Sequence, residues 1–448
     1  MRSKREWRNW QTRTFEGRVV LTIRVQVPFL APAQIPGTHP RAGYFSIEKE
    51  ITAMDFTKLR EFLDYMASCR TPGCSVVVYH QNRKAFEYAA GVSSLESGRP
   101  MDGSEYFNIY SCSKVLTVTA AAQLLERGKF LLNDPLYDYI PEYRHMQVRG
   151  KGGELTEAKR PITVGDLFSM TAGLNYDLNS PSIRRARELT GGRMETSVVA
   201  RCLASEPLSF EPGEHWQYSL CHDVLAGLVE IISGRKFRDY VKENILAPLG
   251  MDSTYYHTTP EIEANMAEQY TFVPKGEGGI SDINDIVEAQ KYGNAPDGGF
   301  RNIGKKVGYV LGPEYDSGGA GVTTTVGDYA KLAAALSNSG LGLTGERILS
   351  PATVNLMKTN RLGEDQLKDY NWEQLAGYGY GLGVRTHIDK SKSGSKANLG
   401  EFGWGGAAGA TIIIDTEARL GVFFAQHTLN PREGWYQPRL RNVVYGCI

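Results

Sequence analysis

From residue 56 to 67 the apolar positions fall at Phe56, Leu59, Phe62, Leu63 and Met66, a spacing that puts them on one face of a helix. Pro72 and Gly73 end that pattern. Two apolar runs of strand length follow, 75–79 (SVVVY) and 85–92, on either side of Gln81, Asn82 and Arg83; they predict a β-hairpin. The far end of the chain repeats the arrangement. Residues 410–415 (ATIIID) and Leu420–Gln426 predict a second hairpin around Thr416, Glu417 and Ala418, and a helix is expected over 438–445. Helix then hairpin at the start, hairpin then helix at the end, predict an α/β fold with one antiparallel sheet built from both termini and flanked by helices.

Between the two ends the period changes. Residues 115–127, 164–170, 197–204, 222–232, 237–246 and 326–337 read as helices separated by loops. The simplest architecture inserts a mostly helical part, 101–321, into an α/β part made of 54–100 and 322–448. Gly-rich polar stretches at 150–154, 275–321 and 390–400 are expected to be surface loops, and loops that long tend to be lids or binding loops. Pockets favour the junction of two such parts.

Composition changes this picture in few places. The chain has 50 basic and 50 acidic residues, so no whole-protein field draws it to nucleic acid or a membrane. No run of eighteen apolar residues predicts a membrane span. The six cysteines (Cys69, Cys74, Cys112, Cys202, Cys221, Cys447) lack zinc or redox spacing. In a chain of 448 residues they read as free thiols of a reducing compartment, which points to the cytoplasm.

The first fifty residues stand apart. Arg2, Lys4, Arg5, Arg8, Arg13, Arg18 and Arg24 with Trp7 and Trp10 look like a nucleic-acid-binding arm, and 19–33 like a signal peptide interrupted by Arg24 and Gln26. A third reading fits better. Trp7-Arg8-Asn9-Trp10-Gln11-Thr12 back-translates as TGG CGG AAT TGG CAG ACG, and Val25-Gln26-Val27-Pro28 as GTT CAA GTC CC. These strings resemble the D-arm and T-loop of a bacterial leucine tRNA gene, and Leu30-Ala31-Pro32 permits its terminal CCA. The expectation is that 1–53 is a non-native leader, and that the native chain starts at Met54.

Ser-x-x-Lys occurs four times, starting at Ser46, Ser111, Ser233 and Ser393, so the bare pattern carries nothing. Only Ser111 follows a strand-like entry (106–110) and opens an apolar helix that Gly128 can stop. A serine hydroxyl needs a nearby base, and residues i and i+3 share a helical face, so Lys114 can reach Ser111. Burial and the positive helix N-terminus disfavour the ammonium and leave Lys114 able to accept a proton. Taken alone, the pair is equally a capping serine with a solvated lysine.

Further landmarks follow in order: 107–114 (FNIYSCSK), 162–174 (ITVGDLFSMTAGL), 210–213 (FEPG), 216–220 (WQYSL), 248–251 (PLGM), 318–322 (GGAGV) and 402–409 (FGWGGAAG). Together they resemble the class C β-lactamase and penicillin-binding-protein-like superfamily, and most closely its family VIII esterase branch, over residues 54–448. The resemblance implies that Ser111 is the acylated nucleophile. It also implies that Lys114 and Tyr218 form the proton network, with Tyr218 the base of deacylation. Further, the backbone N–H groups of Ser111 and Ala407 form the oxyanion hole, and Trp404, Gly405, Gly406 and Leu220 contact substrate. No metal or cofactor is implied.

Two departures from the β-lactamase pattern set the substrate. Trp404 stands where that branch has a Lys or His that holds the substrate carboxylate, and Leu220 where it has an Asn. A carboxylate without a cation loses a charge-assisted bond and is penalised against apolar surfaces. Both changes favour an uncharged acyl group, and so a small-molecule ester. The alternatives are a β-lactamase or D-alanyl-D-alanine peptidase with another carboxylate anchor, and a non-catalytic binding protein on this fold. Gly-x-Ser-x-Gly and His-Glu-x-x-His do not occur. His215 and His222 flank Tyr218 and read as structural, and Cys112 as a small buried hydrophobe.

Overall fold

The computed structural model describes residues 54–274, 298–429 and 431–448, with the short strands Thr14–Phe15 and Arg18–Val19. Apart from those four residues, the leader expected over 1–53 lies outside the described residues, as does 275–297 of the expected loop.

Seven antiparallel strands form the main sheet, in the order Tyr378–Tyr380, Arg385–His387, Phe402–Gly405, Thr411–Asp415, Leu420–Gln426, Gly73–His80 and Arg83–Gly91. The two chain ends meet within it, where Leu420 to Gln426 pair with His80 to Cys74, one strand in from an edge. The first hairpin closes on Gln81 and Asn82, both with φ near +50° to +60° (50° and 61°), the backbone a two-residue turn needs.

The apolar runs of the sequence are continuous because both faces of this sheet are covered. Val76, Val78, Ile413, Val422 and Phe424 point to one side, against Leu59, Leu63 and Met66 of the Thr57–Cys69 helix and Tyr436, Leu440 and Val444 of the Glu433–Val444 helix. Val77, Tyr79, Ile412, Ile414 and Phe423 point to the other, into a larger core shared with the Ser113–Glu126 and Val326–Ser337 helices. Each fully buried aliphatic side chain contributes about 1.5–3 kcal/mol, so a one-residue register slip would exchange the two packed faces at once. Helix Ser113–Glu126 is buried from Ser113 to Leu124, which explains why its sequence is apolar all round rather than striped.

Several expectations need correction. The C-terminal helix begins at Glu433, not at 438, and carries Pro438 inside it. Proline there forfeits one helical hydrogen bond. The turn before it is held by packing: Tyr436 donates to the Gly409 carbonyl at 2.9 Å, and Trp435 stacks on Phe62. Residues 150–154 are not a free loop but the turn of a hairpin, Gln147–Arg149 with Leu155–Glu157. The stretch 275–321 is not all surface loop. Gly298–Gly304 pairs with Gln269–Pro274, and Tyr315, Asp316, Ser317 and Ala320 are buried. Within 390–400, Asp389 caps a short helix, Lys390–Ser393, and Ala397 is buried.

Candidate active site

The strand Tyr106–Asn108 runs into a tight 3₁₀ turn, Tyr110–Cys112, and then into the Ser113–Glu126 helix. Tyr110 takes a left-handed φ of 44°, a conformation that costs an ordinary residue about 1–3 kcal/mol and turns Ser111 out of the core. The surroundings hold it there. Ile109 N–H bonds to the Val322 carbonyl, Tyr329 donates to the Cys112 carbonyl at 2.7 Å, and Tyr110 donates to Gln269.

Ser111 Oγ receives the Tyr218 hydroxyl at 2.6 Å and Lys114 Nζ at 3.3 Å. Lys114 is fully buried, and its ammonium donates to the Gly319 carbonyl at 2.8 Å and lies 4.5 Å over the Tyr218 ring. Burial lowers its pKa to about 7, against the opposing pull of the Asp223 charge. Burial drives the Tyr218 phenol the other way, well above its usual value, although its hydrogen bonds with Ser111 and Trp404 counter this. At neutral pH the lysine is therefore close to its own titration point, while the tyrosine is a phenol.

The glycines of 318–322 serve close approach rather than backbone freedom. A β-carbon on Gly318 would sit 2.4 Å from the His222 carbonyl, and one on Gly319 2.5 Å from Asp223 Oδ2. Only a bare backbone can bring the Gly319 carbonyl to Lys114. Gly406 works likewise: a β-carbon there would lie 2.2 Å from the Ile109 carbonyl, so the sheet edge presses directly on the nucleophile turn. Past it, Gly409 N–H closes a turn on the Gly406 carbonyl at 2.7 Å. Among the described residues, the amides of Ser111 and of Ala407, inside that turn, have no hydrogen-bond partner. Free backbone N–H groups of this kind can donate hydrogen bonds to an anionic oxygen.

A profile of the family described as Beta-lactamase matches residues 60–444. The chain belongs to the beta-lactamase family. It is similar to Esterase EstB of Burkholderia gladioli, at 27% identity over 393 residues, covering 84% of this chain and 91% of the relative. It is also similar to Monacolin J acid methylbutanoyltransferase of Aspergillus terreus, at 26% identity over 358 residues, 75% of this chain and 78% of the relative. Among solved structures it resembles EstCE1, a hydrolase with promiscuous acyltransferase activity, with a TM-score of 0.67 at 24% identity, over 86% of this chain and 97% of that one. The fold is thus the beta-lactamase and penicillin-binding-protein-like one, mixed α/β with an antiparallel sheet flanked by helices.

Within this member of the beta-lactamase family, two of the residues expected at the substrate, Leu220 and Trp404, are buried. Leu220 is only 2% exposed. Its side chain joins the main core and its amide bonds to the Asn175 carbonyl, because it leads into the apolar Cys221–Ser233 helix. It does not face the cleft. Trp404 is 3% exposed; its indole stacks on Tyr218 at 5.8 Å and donates Nε1–H to the Tyr218 hydroxyl at 3.3 Å. Its contact with the site runs through Tyr218. Gly405 and Ala407 remain partly open.

The other tempting side chains are occupied elsewhere. His222 is buried with its pKa lowered to about 3 by desolvation, and its Nε2 lies 3.3 Å from the Phe168 carbonyl. His215 pairs with Asp369 at the surface. Cys112 is buried, its thiol pKa pushed up by desolvation and its Sγ against the Trp404 carbonyl. All six cysteines are unpaired. No helix among the described residues is long and apolar enough to cross a membrane.

Three contributors had no motif. Tyr176 stacks on Tyr218 at 5.5 Å, and Trp372, on the loop beyond, packs on its other side at 5.4 Å. Asp223 accepts from Tyr315 and Ser317, each at 2.8 Å, and so holds the loop that carries Gly319. In the sequence it is one of two carboxylates, with Glu230, in the mostly apolar stretch 221–232.

Proposed function

We propose that this protein hydrolyses neutral carboxylic esters through an acyl-enzyme on Ser111 and can also pass the acyl group to an alcohol. The observation that carries the reading is the convergence of Tyr218 and Lys114 on Ser111 Oγ, with the Trp404 indole donating to the same Tyr218 hydroxyl. Neutral Lys114 takes the Ser111 proton as the oxygen attacks the ester carbonyl, and the Ser111 and Ala407 amides receive the oxyanion. Tyr218 donates its proton to the departing alkoxide, and its phenolate is held by the Lys114 ammonium and the Trp404 N–H. Water, or an alcohol, then attacks the acyl carbon and gives its proton to Tyr218. Ser111 leaves with the proton of Lys114, and every group returns to its starting state.

The functional unit in this reading is 54–448, with 54–100 and 322–448 as the α/β part and 101–321 as the mostly helical part, and no cofactor. Six free thiols support a reducing compartment, the cytoplasm. Intact-mass spectrometry across esters and β-lactams tests the proposal. An ester-derived acyl adduct on wild type that is missing in Ser111→Ala supports it. Turnover of β-lactams with no ester adduct would favour a β-lactamase or peptidase instead.

A further inference from the structure

The ladder between Arg385–His387 and Phe402–Gly405 pairs Arg385 with Gly403 and goes no further, so the edge at Trp404 and Gly405 is open on that side. This edge leads within two residues to Ala407. A substrate acylated on Ser111 with its carbonyl at the Ala407 amide must run along it. Gly405 has no side chain, and the space one would fill is bounded by the Gln437 amide and the Glu433 carboxyl group. A β-carbon at 405 would lie 3.1 Å from Glu433 Oε1 and 2.7 Å from Gln437 Nε2. Glu433 is the first residue of the Glu433–Val444 helix, is only partly buried, and is held from its far side by Gln374 Nε2 at 2.9 Å. Gln374 lies two residues beyond Trp372, which packs on Tyr218. Gly405, Glu433, Gln374 and Trp372 are thus linked by contacts that run from the strand edge to Tyr218.

We propose that Glu433 is a specificity-determining residue: a charge filter beside the open strand edge that turns away carboxylate-bearing substrates and admits neutral esters. The inference rests on the ester reading and names the device that selects within it. Burial raises the Glu433 pKa to about 7, with Arg385 pulling the other way. Arg385 is itself engaged by Glu401 at 2.8 Å, so it does not neutralise Glu433 as a paired partner. The other titratable groups near it are Tyr218, Tyr436 and Cys112, all with pKa values raised first by burial and further by the Glu433 charge. Glu373, on the facing turn, lies against Gly434, and Arg441 Nη2 donates to the Gln374 carbonyl. Among the described residues Glu433 has no salt-bridge partner: Arg385 pairs with Glu401, and Arg441 is buried over the Tyr378 ring. The filter is therefore on above neutral pH, when Glu433 is ionised, and relaxed below it, when the carboxyl is neutral and can donate a hydrogen bond.

The test compares two esters of equal acyl length, 4-nitrophenyl butyrate and 4-nitrophenyl hydrogen succinate, from pH 6 to 8.5. Ionisations of Lys114 and Tyr218 act on both substrates and cancel in the ratio of their kcat/KM values. In wild type the preference for the neutral ester should rise about tenfold across this range, the size of an unpaired like-charge contact at a partly wet site. In Glu433→Gln the ratio should be independent of pH and should favour the neutral ester less. A wild-type ratio flat with pH, or a Glu433→Gln ratio that keeps the wild-type slope, would overturn the filter. The wild-type series decides the matter even if the variant folds poorly. Failure of both esters to acylate Ser111 is a separate result, which would overturn the ester reading itself.

Discussion

The indole Nε1–H of Trp404 points at the Tyr218 hydroxyl from 3.3 Å, while that hydroxyl is 2.6 Å from Ser111 Oγ. Trp404 is thus placed to stabilise negative charge on the Tyr218 oxygen without itself carrying a charge.

Trp404→Phe separates the hydrogen bond from the packing. The ring would still stack on Tyr218, but the donor is lost, and a hydrogen bond to a developing charge is worth about 1.5–3 kcal/mol. The expected outcome is a fall of about 10- to 100-fold in kcat for a neutral 4-nitrophenyl ester, with KM little changed, since Trp404 is buried away from substrate. A change confined to KM would show that the indole touches substrate instead.

The activity should follow the ionisation of Lys114. Its pKa is lowered to about 7 by burial, and only the neutral amine can take the Ser111 proton. For a neutral ester, kcat/KM should therefore rise with pH through a midpoint near 7 and level off above about pH 8, where the Tyr218 phenol is still protonated. A pH-rate profile of single turnovers checks this; a midpoint near 10 would mean that Lys114 is not the base.

How much of this was legible in the sequence depended on whether a residue's role left a local trace. The strands Gly73–His80 and Leu420–Gln426 were readable because burial on both faces produces an unbroken apolar run. Ser111 and Lys114 stand out from the four Ser-x-x-Lys matches by the strand before them and the apolar helix after them, and the structure brings Lys114 Nζ to 3.3 Å from Ser111 Oγ. Strands Tyr378–Tyr380 and Arg385–His387 were missed. They are three residues each, glycine-rich at their boundary, and carry Arg385, whose burial makes sense only once Glu401 is seen beside it. The burial of Leu220 and Trp404 is not legible in the sequence, because a motif gives position along the chain and not the direction of a side chain. Glu433 and Trp372 left no trace at all: they meet Gly405 and Tyr218 only through tertiary packing.

Lys114→Ala and Tyr218→Phe should each lower turnover by about 10²–10⁴, the usual worth of a general acid–base group. The double variant should cost far less than the product of the two, because both side chains act on one oxygen atom. Multiplicative losses, measured as kcat/KM on the same neutral ester, would argue that the two residues serve different steps through different partners.

Lys114 should also burden the fold that it serves. Its unfolded-state value is near 10.5 and its folded value about 7, so folding at neutral pH must strip a proton from the amine. A lowered lysine pKa means that the unfolded chain binds more protons, so stability rises with pH between the two values. The cost is fully present below about pH 7 and fades as pH approaches 10.5. At one pKa unit per about 1.4 kcal/mol, the upper bound is about 5 kcal/mol, reduced by loss of the bond to the Gly319 carbonyl in any replacement. Lys114→Met, which fills the same buried space without charge, should abolish ester hydrolysis yet raise the denaturation midpoint at pH 6 to 7. The gain should shrink steadily toward pH 10. A variant less stable than wild type across the whole range would show that the bond to Gly319 outweighs the price of burying the amine.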